Sequence, residues 1–343
     1  MTMSSPGFRE TDIRPDHLME GQADRFASDL RRLMAHKQEF VSVPCPACGS
    51  DSTRPAFHKY ELSYVVCSQC ETMYVSPRPT PELLDVYYST SENYSYWNKY
   101  IFPASENARR EKIFMPRAKR IVEICQRHQL NMGTVLEVGA GFGTFCEEIK
   151  RLEAFEQVIA VEPTPDLAQS CRNRGLEVIE SPIEHVKLEG RNIDLIVSFE
   201  VIEHLFNPSA FIEKCWRLLP VGGILVLTCP NVKGFDILTL QELSSAVDSE
   251  HLNYFHPQSL STLLQSKGFE VLEVQTPGQL DAELVRKSAL AGEIDLHKQQ
   301  FLQHVLIDDW ERLGRNFQEF LAANQLSSHM WLASRKVEGG NQS

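Results

Sequence analysis

A doubly wound α/β sheet is the fold class this sequence predicts, and three observations predict it. Short apolar runs at 134–138, 158–161, 195–198 and 223–228 alternate with helical patterns at 144–152, 165–173 and 209–219, the rhythm of a mostly parallel sheet. The first run enters a turn with glycine at alternate positions, Gly139, Gly141 and Gly143. The second ends on an acid, Glu162, about twenty residues beyond the turn, where a carboxylate can accept hydrogen bonds from a ribose diol. Glycine lets backbone approach a ligand closely, so the pattern predicts an adenosine-containing cofactor.

The 343 residues, 42% of them hydrophobic, supply a main domain with appendages. Lys and Arg total 34 against 46 Asp and Glu, a formal charge of −12. That balance gives no long-range attraction to nucleic acid or an anionic membrane surface. No run of 18 apolar residues occurs, and Glu10, Asp12, Asp16, Glu20 and Asp24 interrupt the first thirty positions. A cytoplasmic protein is expected.

The elements follow in order. Residues 1–40 read as a polar leader with one helix near 27–35. The segment 41–81 holds short strand-like runs broken by Pro44, Pro46, Gly49, Pro55, Pro77 and Pro79, and is too short for a self-sufficient core. Residues 82–130 carry an aromatic connector, Tyr87, Tyr88, Tyr94, Tyr96, Trp97 and Tyr100, that either joins two domains or lids the cofactor. A helix over 109–128 follows. The core spans 131–280, where Asn207 or Ser209 can cap the helix that Pro208 opens. A further helix at 257–267, with His256 as its cap, leads to a strand at 270–275. Residues 281–325 repeat Leu302, Val305, Leu306, Trp310, Leu313, Phe317 and Leu321 at helical spacing, which predicts a helical insertion before the final strand in 326–337. Its apolar stripe can face the sheet domain or a second subunit, so homo-oligomerisation through these helices is open. A tail, 338–343, closes the chain.

Nine cysteines occur, and four are grouped. Cys45-Pro-Ala-Cys48 and Cys67-Ser-Gln-Cys70 form two C-x2-C knuckles, a donor set suited to structural tetrahedral zinc with no open position. Two disulfides, four unrelated buried thiols or an iron centre are the alternatives, and a cytoplasmic setting disfavours persistent disulfides. In so short a segment the metal would contribute folding energy directly. Cys125, Cys146, Cys171, Cys215 and Cys229 read as small buried residues.

A strand, glycine turn and acid also serve nicotinamide dehydrogenases. Here, however, Glu137 precedes the turn, Val158-Ile-Ala-Val-Glu162 follows, and Asp194-Leu-Ile-Val-Ser-Phe-Glu200-Val-Ile-Glu203-His204 comes later. This composite resembles the class I S-adenosylmethionine-dependent methyltransferases. The resemblance implies a turn against the methionine portion, Glu137 beside it, Glu162 on the ribose hydroxyls, Ser181 to Ile183 bordering adenine, and Phe199, Glu200 and Val201 at the reaction end.

Methyl transfer to oxygen or carbon requires alignment and, for a poor nucleophile, removal of a proton. His204 follows the Phe199-Glu200 segment, and His251 lies in Ser249-Glu250-His251-Leu252-Asn253-Tyr254 before the Pro257 helix. Either histidine is a candidate base, with Glu250 orienting or polarising His251 and Tyr254 hydrogen-bonding the acceptor. Cysteine module, core and Glu-His segment together, over about residues 41–275, resemble bacterial sugar-modifying methyltransferases, including nucleotide-sugar C-methyltransferases. Those carry Tyr-x-Glu-His, whereas Asp248 stands in the tyrosine position here. A small-molecule, sugar-like acceptor is therefore expected, with O- and C-methylation both open. Macromolecular methylation and a noncatalytic cofactor-binding scaffold are the alternatives.

Overall fold

The computed structural model describes residues 9–188 and 190–338. Residues 1–8 of the leader and 339–343 of the tail lie outside the described residues.

Two sheets organise the chain. The first begins with β1 (Thr53–Lys59), β2 (Leu62–Cys67) and β3 (Met73–Val75). The second contains β4 (Thr134–Val138), β5 (Gln157–Val161), β6 (Glu177–Ile179), β7 (Leu195–Phe199) and β8 (Ile224–Pro230). Next in the chain, β9 (Asn253–Tyr254) returns to the first sheet, and β10 (Phe269–Gln275) and β11 (His329–Lys336) complete the second.

The large sheet runs β10-β11-β8-β7-β4-β5-β6, parallel from β8 to β6, with β11 reversed between β8 and β10. Every position of β4, β7 and β8 is buried, because helices cover both faces and the strands need no polar side. One face packs Leu136, Ile159, Ile196, Phe211 and Leu225. The other packs Ile121, Val135, Phe145, Val197 and Trp331. Strand order reverses at β4, which has β5 on one side and β7 on the other, so a crevice opens beyond the carboxyl ends of β4 and β7. The class I doubly wound sheet, the helical insertion and the last strand stand as the sequence predicts. Asn207 rather than Ser209 caps the helix Pro208–Leu218, its side chain accepting from the Ala210 amide at 3.1 Å.

The leader helix differs from expectation: it runs Asp16–Met34, although its first half is polar. Tertiary contact supplies what propensity lacks. Gly21 sits so close to Tyr96 that a Cβ there would stand 2.6 Å from the hydroxyl. Buried Asp29 accepts from the Ser91 hydroxyl at 2.6 Å and the Asn93 amide at 2.8 Å. The insertion comprises helices Asp281–Leu290, Gln300–Gln303 and Trp310–Ala323 with a π-turn at His304–Asp308. Its buried stripe, including Val285, Leu296, Val305, Leu306 and Leu321, packs on itself and on Leu240. Among the described residues no helix is long and apolar enough to cross a membrane.

The small sheet has an order that local sequence does not foretell, β1-β2-β3-β9. Met73 pairs with Tyr254 and Tyr74 with Asn253, so the cysteine-bearing segment shares a sheet with the Glu-His segment. Arg78, 1% exposed, fastens the junction. It donates to the carbonyls of Val75, Phe206 and Leu252 and to Asn253 Oδ1, at 2.9 to 3.2 Å. Carbonyl partners suffice for its buried donors without a facing carboxylate.

Candidate functional site

The turn after β4 uses its three glycines in different ways. All have positive φ, +76, +55 and +74, which side chains rarely tolerate. A Cβ on Gly139 would stand 2.5 Å from Val201, and one on Gly143 would stand 2.7 Å from Leu176 and 2.9 Å from the Cys171 sulfur. A Cβ on Gly141 would meet nothing within 4 Å. Its exposed backbone faces a cavity of about 770 Å³ lined by Glu137, Gly139, Gly141, Phe199, Glu200 and His251 among others, a volume suited to a small-molecule site.

Glu162 closes the turn from β5. Its two carboxylate oxygens accept from the amides of Gly141 at 2.8 Å and Thr164 at 2.9 Å. Burial raises its pKa, and those amides oppose the rise. Each oxygen retains acceptor capacity for a diol. Glu137 is buried beneath the turn and accepts from the Cys146 thiol at 2.9 Å. Burial pushes its carboxyl up to about 8, against the pull of the Cys146 hydrogen bond and Arg117.

The other sequence-derived positions are distributed differently. Phe199 and Glu200 line the cavity. Val201 packs against the Gly139 backbone, Ile183 belongs to the core beside Val138 and Val161, and the Ser181 hydroxyl donates to the Pro182 carbonyl at 3.1 Å. Glu200 holds φ of +54°, a conformation that costs a non-glycine residue about 1–3 kcal/mol. Its carboxylate is tied to Thr228 at 2.5 Å, His329 at 3.3 Å and Arg117 at 3.4 Å. His329 and Arg117 both border the cavity, and sequence reasoning missed both. His329 sits on the reversed last strand and Arg117 on a helix before the core, so only the fold brings them to Glu200.

Beyond β7 the chain enters the loop carrying Glu203 and His204. Asn253 on β9 holds that loop, donating from Nδ2 to the carbonyls of Ile202, Glu203 and Leu205. The Glu203 carbonyl also accepts from the Leu252 amide at 2.8 Å and the Asn253 amide at 3.0 Å. His204 and His251 are thereby brought edge to face, ring centroids 4.7 Å apart. His204 Nδ1 faces the Glu250 carbonyl at 3.1 Å and the Tyr88 hydroxyl at 3.4 Å. His251 Nδ1 faces the Ala246 carbonyl at 2.8 Å. A carbonyl only accepts, so each Nδ1 carries a proton, and in the neutral ring Nε2 keeps the lone pair. Burial and the neighbouring His251 hold the His204 pKa down to about 4.

Two expected roles are corrected. The Glu250 carboxylate does not orient His251; it accepts from the Tyr87 hydroxyl at 3.0 Å and Asn93 Nδ2 at 3.4 Å, pinning the aromatic connector. Asp248 is the acid beside His251, at 3.7 Å. Tyr254 does not reach the cavity, because its position on β9 buries it completely and its hydroxyl accepts from the Asp248 amide at 3.2 Å. His256 caps the helix Pro257–Ser266 and its Nε2 meets the Cys70 carbonyl at 2.7 Å. Of the aromatic connector, Tyr94 lines the cavity while Tyr87 and Tyr88 pack behind the histidines.

Cys45, Cys48, Cys67 and Cys70 converge, with sulfur separations of 3.4 Å for Cys45–Cys70 and 3.6 Å for Cys48–Cys67. Tetrahedral zinc with bonds of about 2.3 Å needs edges of roughly 3.8 Å, so these four residues fit such an ion with small adjustments. The knuckles match each other: the Gly49 amide donates to the Cys45 carbonyl and the Glu71 amide to the Cys67 carbonyl, with Gly49 and Glu71 both at positive φ.

A family model described as a methyltransferase domain matches residues 100–274. Among curated relatives, a probable S-adenosylmethionine-dependent methyltransferase of Mycobacterium tuberculosis is 29% identical over 137 residues, 39% of this chain and 48% of that protein. A ubiquinone biosynthesis O-methyltransferase of Xanthomonas oryzae pv. oryzae is 33% identical over 119 residues, 33% of this chain and 49% of that protein. The chain spans about half the length of these curated relatives. A solved S-adenosylmethionine-dependent methyltransferase from Thermotoga maritima, described as a possible histamine N-methyltransferase, aligns at a TM-score of 0.45. It is 15% identical and covers 70% of this chain and 97% of that one, a likeness too distant to bear on chemistry.

Proposed function

Because the chain belongs to the methyltransferase-domain family, we propose that it binds S-adenosylmethionine at the glycine turn and methylates a small, sugar-like acceptor in the adjoining cavity. Bound there, the cofactor supplies an electrophilic methyl group on a cationic sulfur. The observation that carries this reading is the open face of Gly141: a Cβ there would meet nothing within 4 Å among the described residues, beside a carboxylate that can still accept from a diol.

The chain's own residues divide the task. Glu162 and the Gly139–Gly143 backbone hold the nucleoside and methionine portions, with Glu137 beneath them. Ile183 and Ser181 border the base. Acids on the cavity wall, Glu200 and Asp248, suit a cationic donor. Phe199 and Phe102 exclude water from the reaction end. The His204–His251 wall activates the acceptor, and His251 borders the cavity itself. Zinc at the four cysteines is scaffold in this reading, since four thiolates leave no open position.

Calorimetric titration with S-adenosylhomocysteine, followed by transfer of labelled methyl from S-adenosylmethionine to a sugar and nucleotide-sugar panel, tests the proposal. Saturable cofactor binding that Glu162→Ala weakens at least about tenfold is expected. A metal-loaded chain that binds neither form of the cofactor would end it.

A further inference from the structure

Glu203 is fully buried, and neither of its carboxylate oxygens has a hydrogen-bond partner among the described residues. Buried carboxylates elsewhere in the chain find donors: Asp29 has Ser91 and Asn93, and Glu162 has two amides. An unpaired acid in a low-dielectric interior is costly, most of all when ionised. Burial first, and then the charges of Glu200 and Asp248, push the Glu203 carboxyl well above the usual range. The Arg117 guanidinium is directed to Glu200 instead.

What Glu203 does sit among is a pair of imidazoles. One oxygen of Glu203 and one nitrogen from each of His204 and His251 lie within 4.8 Å of one another. Because both Nδ1 atoms are committed to backbone carbonyls, the free ring nitrogens and an ionised Glu203 offer acceptors and no donor. Acceptors gathered around one point repel unless a cation stands between them. The carbonyls of Glu250 and Ala246 fix each ring's tautomer and direction from behind, as partners of metal-bound imidazoles do.

We infer that Glu203, His204 and His251 form a second metal site, distinct from the cysteine cluster, that takes a divalent first-row cation such as manganese or zinc. Two imidazoles and one carboxylate match the borderline preferences of those ions. Three protein ligands leave positions for water or substrate, the mark of a catalytic rather than structural centre. His251 lies on the cavity wall, so the open side meets the acceptor. The site rests on the reading of that wall as acceptor-facing and changes how it works: an oxygen of the acceptor is held and acidified by a cation, instead of passing its proton to a free imidazole.

The test uses full-length protein whose cysteines already carry one zinc per chain by elemental analysis. Manganese is then titrated, with free ion followed by electron paramagnetic resonance. Uptake of one further equivalent is expected, and Glu203→Gln and His251→Gln should each weaken it by more than about tenfold. Affinity for S-adenosylhomocysteine in both variants should stay within about twofold of the parent, which excludes misfolding as the cause. Uptake of no second equivalent by the unsubstituted protein, with either manganese or zinc, overturns the inference whatever the variants do. So does a second equivalent that survives both substitutions. A chain that takes the second ion but no cofactor would sink the proposed methyl transfer and leave this site standing. Methyl transfer undiminished with only the cysteine zinc present would do the reverse.

Discussion

Gly141 and Gly143 stand two residues apart in one turn, yet alanine should affect them differently. At Gly143 the added methyl would collide with Leu176 and Cys171 as well as strain the backbone, and a loss of about 2–3 kcal/mol in urea unfolding is expected. At Gly141 only the backbone strain applies, about 1–2 kcal/mol. There the larger effect should be on S-adenosylhomocysteine affinity, read by calorimetry. Glu137 carries a pH signature. Its carboxyl titrates near the ordinary 4.5 in the unfolded chain and near 8 in the fold, so the folded state holds the extra proton between those values. Stability from this group is full below about pH 4.5 and declines as pH rises toward 8, at no more than about 1.4 kcal/mol per unit. Cofactor-free Glu137→Gln should show a flatter dependence than the parent in urea midpoints compared at about pH 5 and about pH 7.5. An equal slope in both proteins would remove Glu137 as its origin.

At the scale of elements, β9 has only two residues yet positions much of the candidate site. Asn253 donates to three carbonyls of the loop carrying Glu203 and His204, and accepts from Arg78. Asn253→Ala strands these buried groups together, so a loss of about 3 kcal/mol is expected. Methyl transfer should fall further than cofactor affinity, because the glycine turn is anchored elsewhere. The centre of the large sheet was legible because β4, β7 and β8 are largely apolar, fully buried runs with punctuation on both sides. The glycine turn and Glu162 were legible for the same reason, lying within one strand-turn-helix-strand unit. β9 was not, since two residues show no periodicity and their partners lie in a segment far earlier in the chain. The roles of Glu250 and Tyr254 were misread for that reason: once Asn253 and Tyr254 enter a sheet, their neighbours' directions are set by β3. The leader helix was likewise invisible in its first half, where Gly21 and polar residues hide a contact made to Tyr96.

For the molecule as a whole, the cysteine cluster and the candidate cavity are coupled through a common sheet rather than a linker. Chelation of zinc should loosen β2 and β3, and β9 with them. Thermal unfolding should begin several degrees lower, with early proteolytic cleavage within residues 41–81. Affinity for S-adenosylhomocysteine should remain within about threefold, since the glycine turn belongs to the other sheet, while methyl transfer is lost. Unchanged turnover in fully demetallated protein would contradict this coupling. The shared sheet also constrains how the molecule can be recombined. Grafting the cysteine segment from a donor chain would leave Asn253 and Tyr254 facing an unfamiliar edge. A viable graft must bring residues 248–256 along with 41–81, so two stretches far apart in the gene would have to be inherited as one unit.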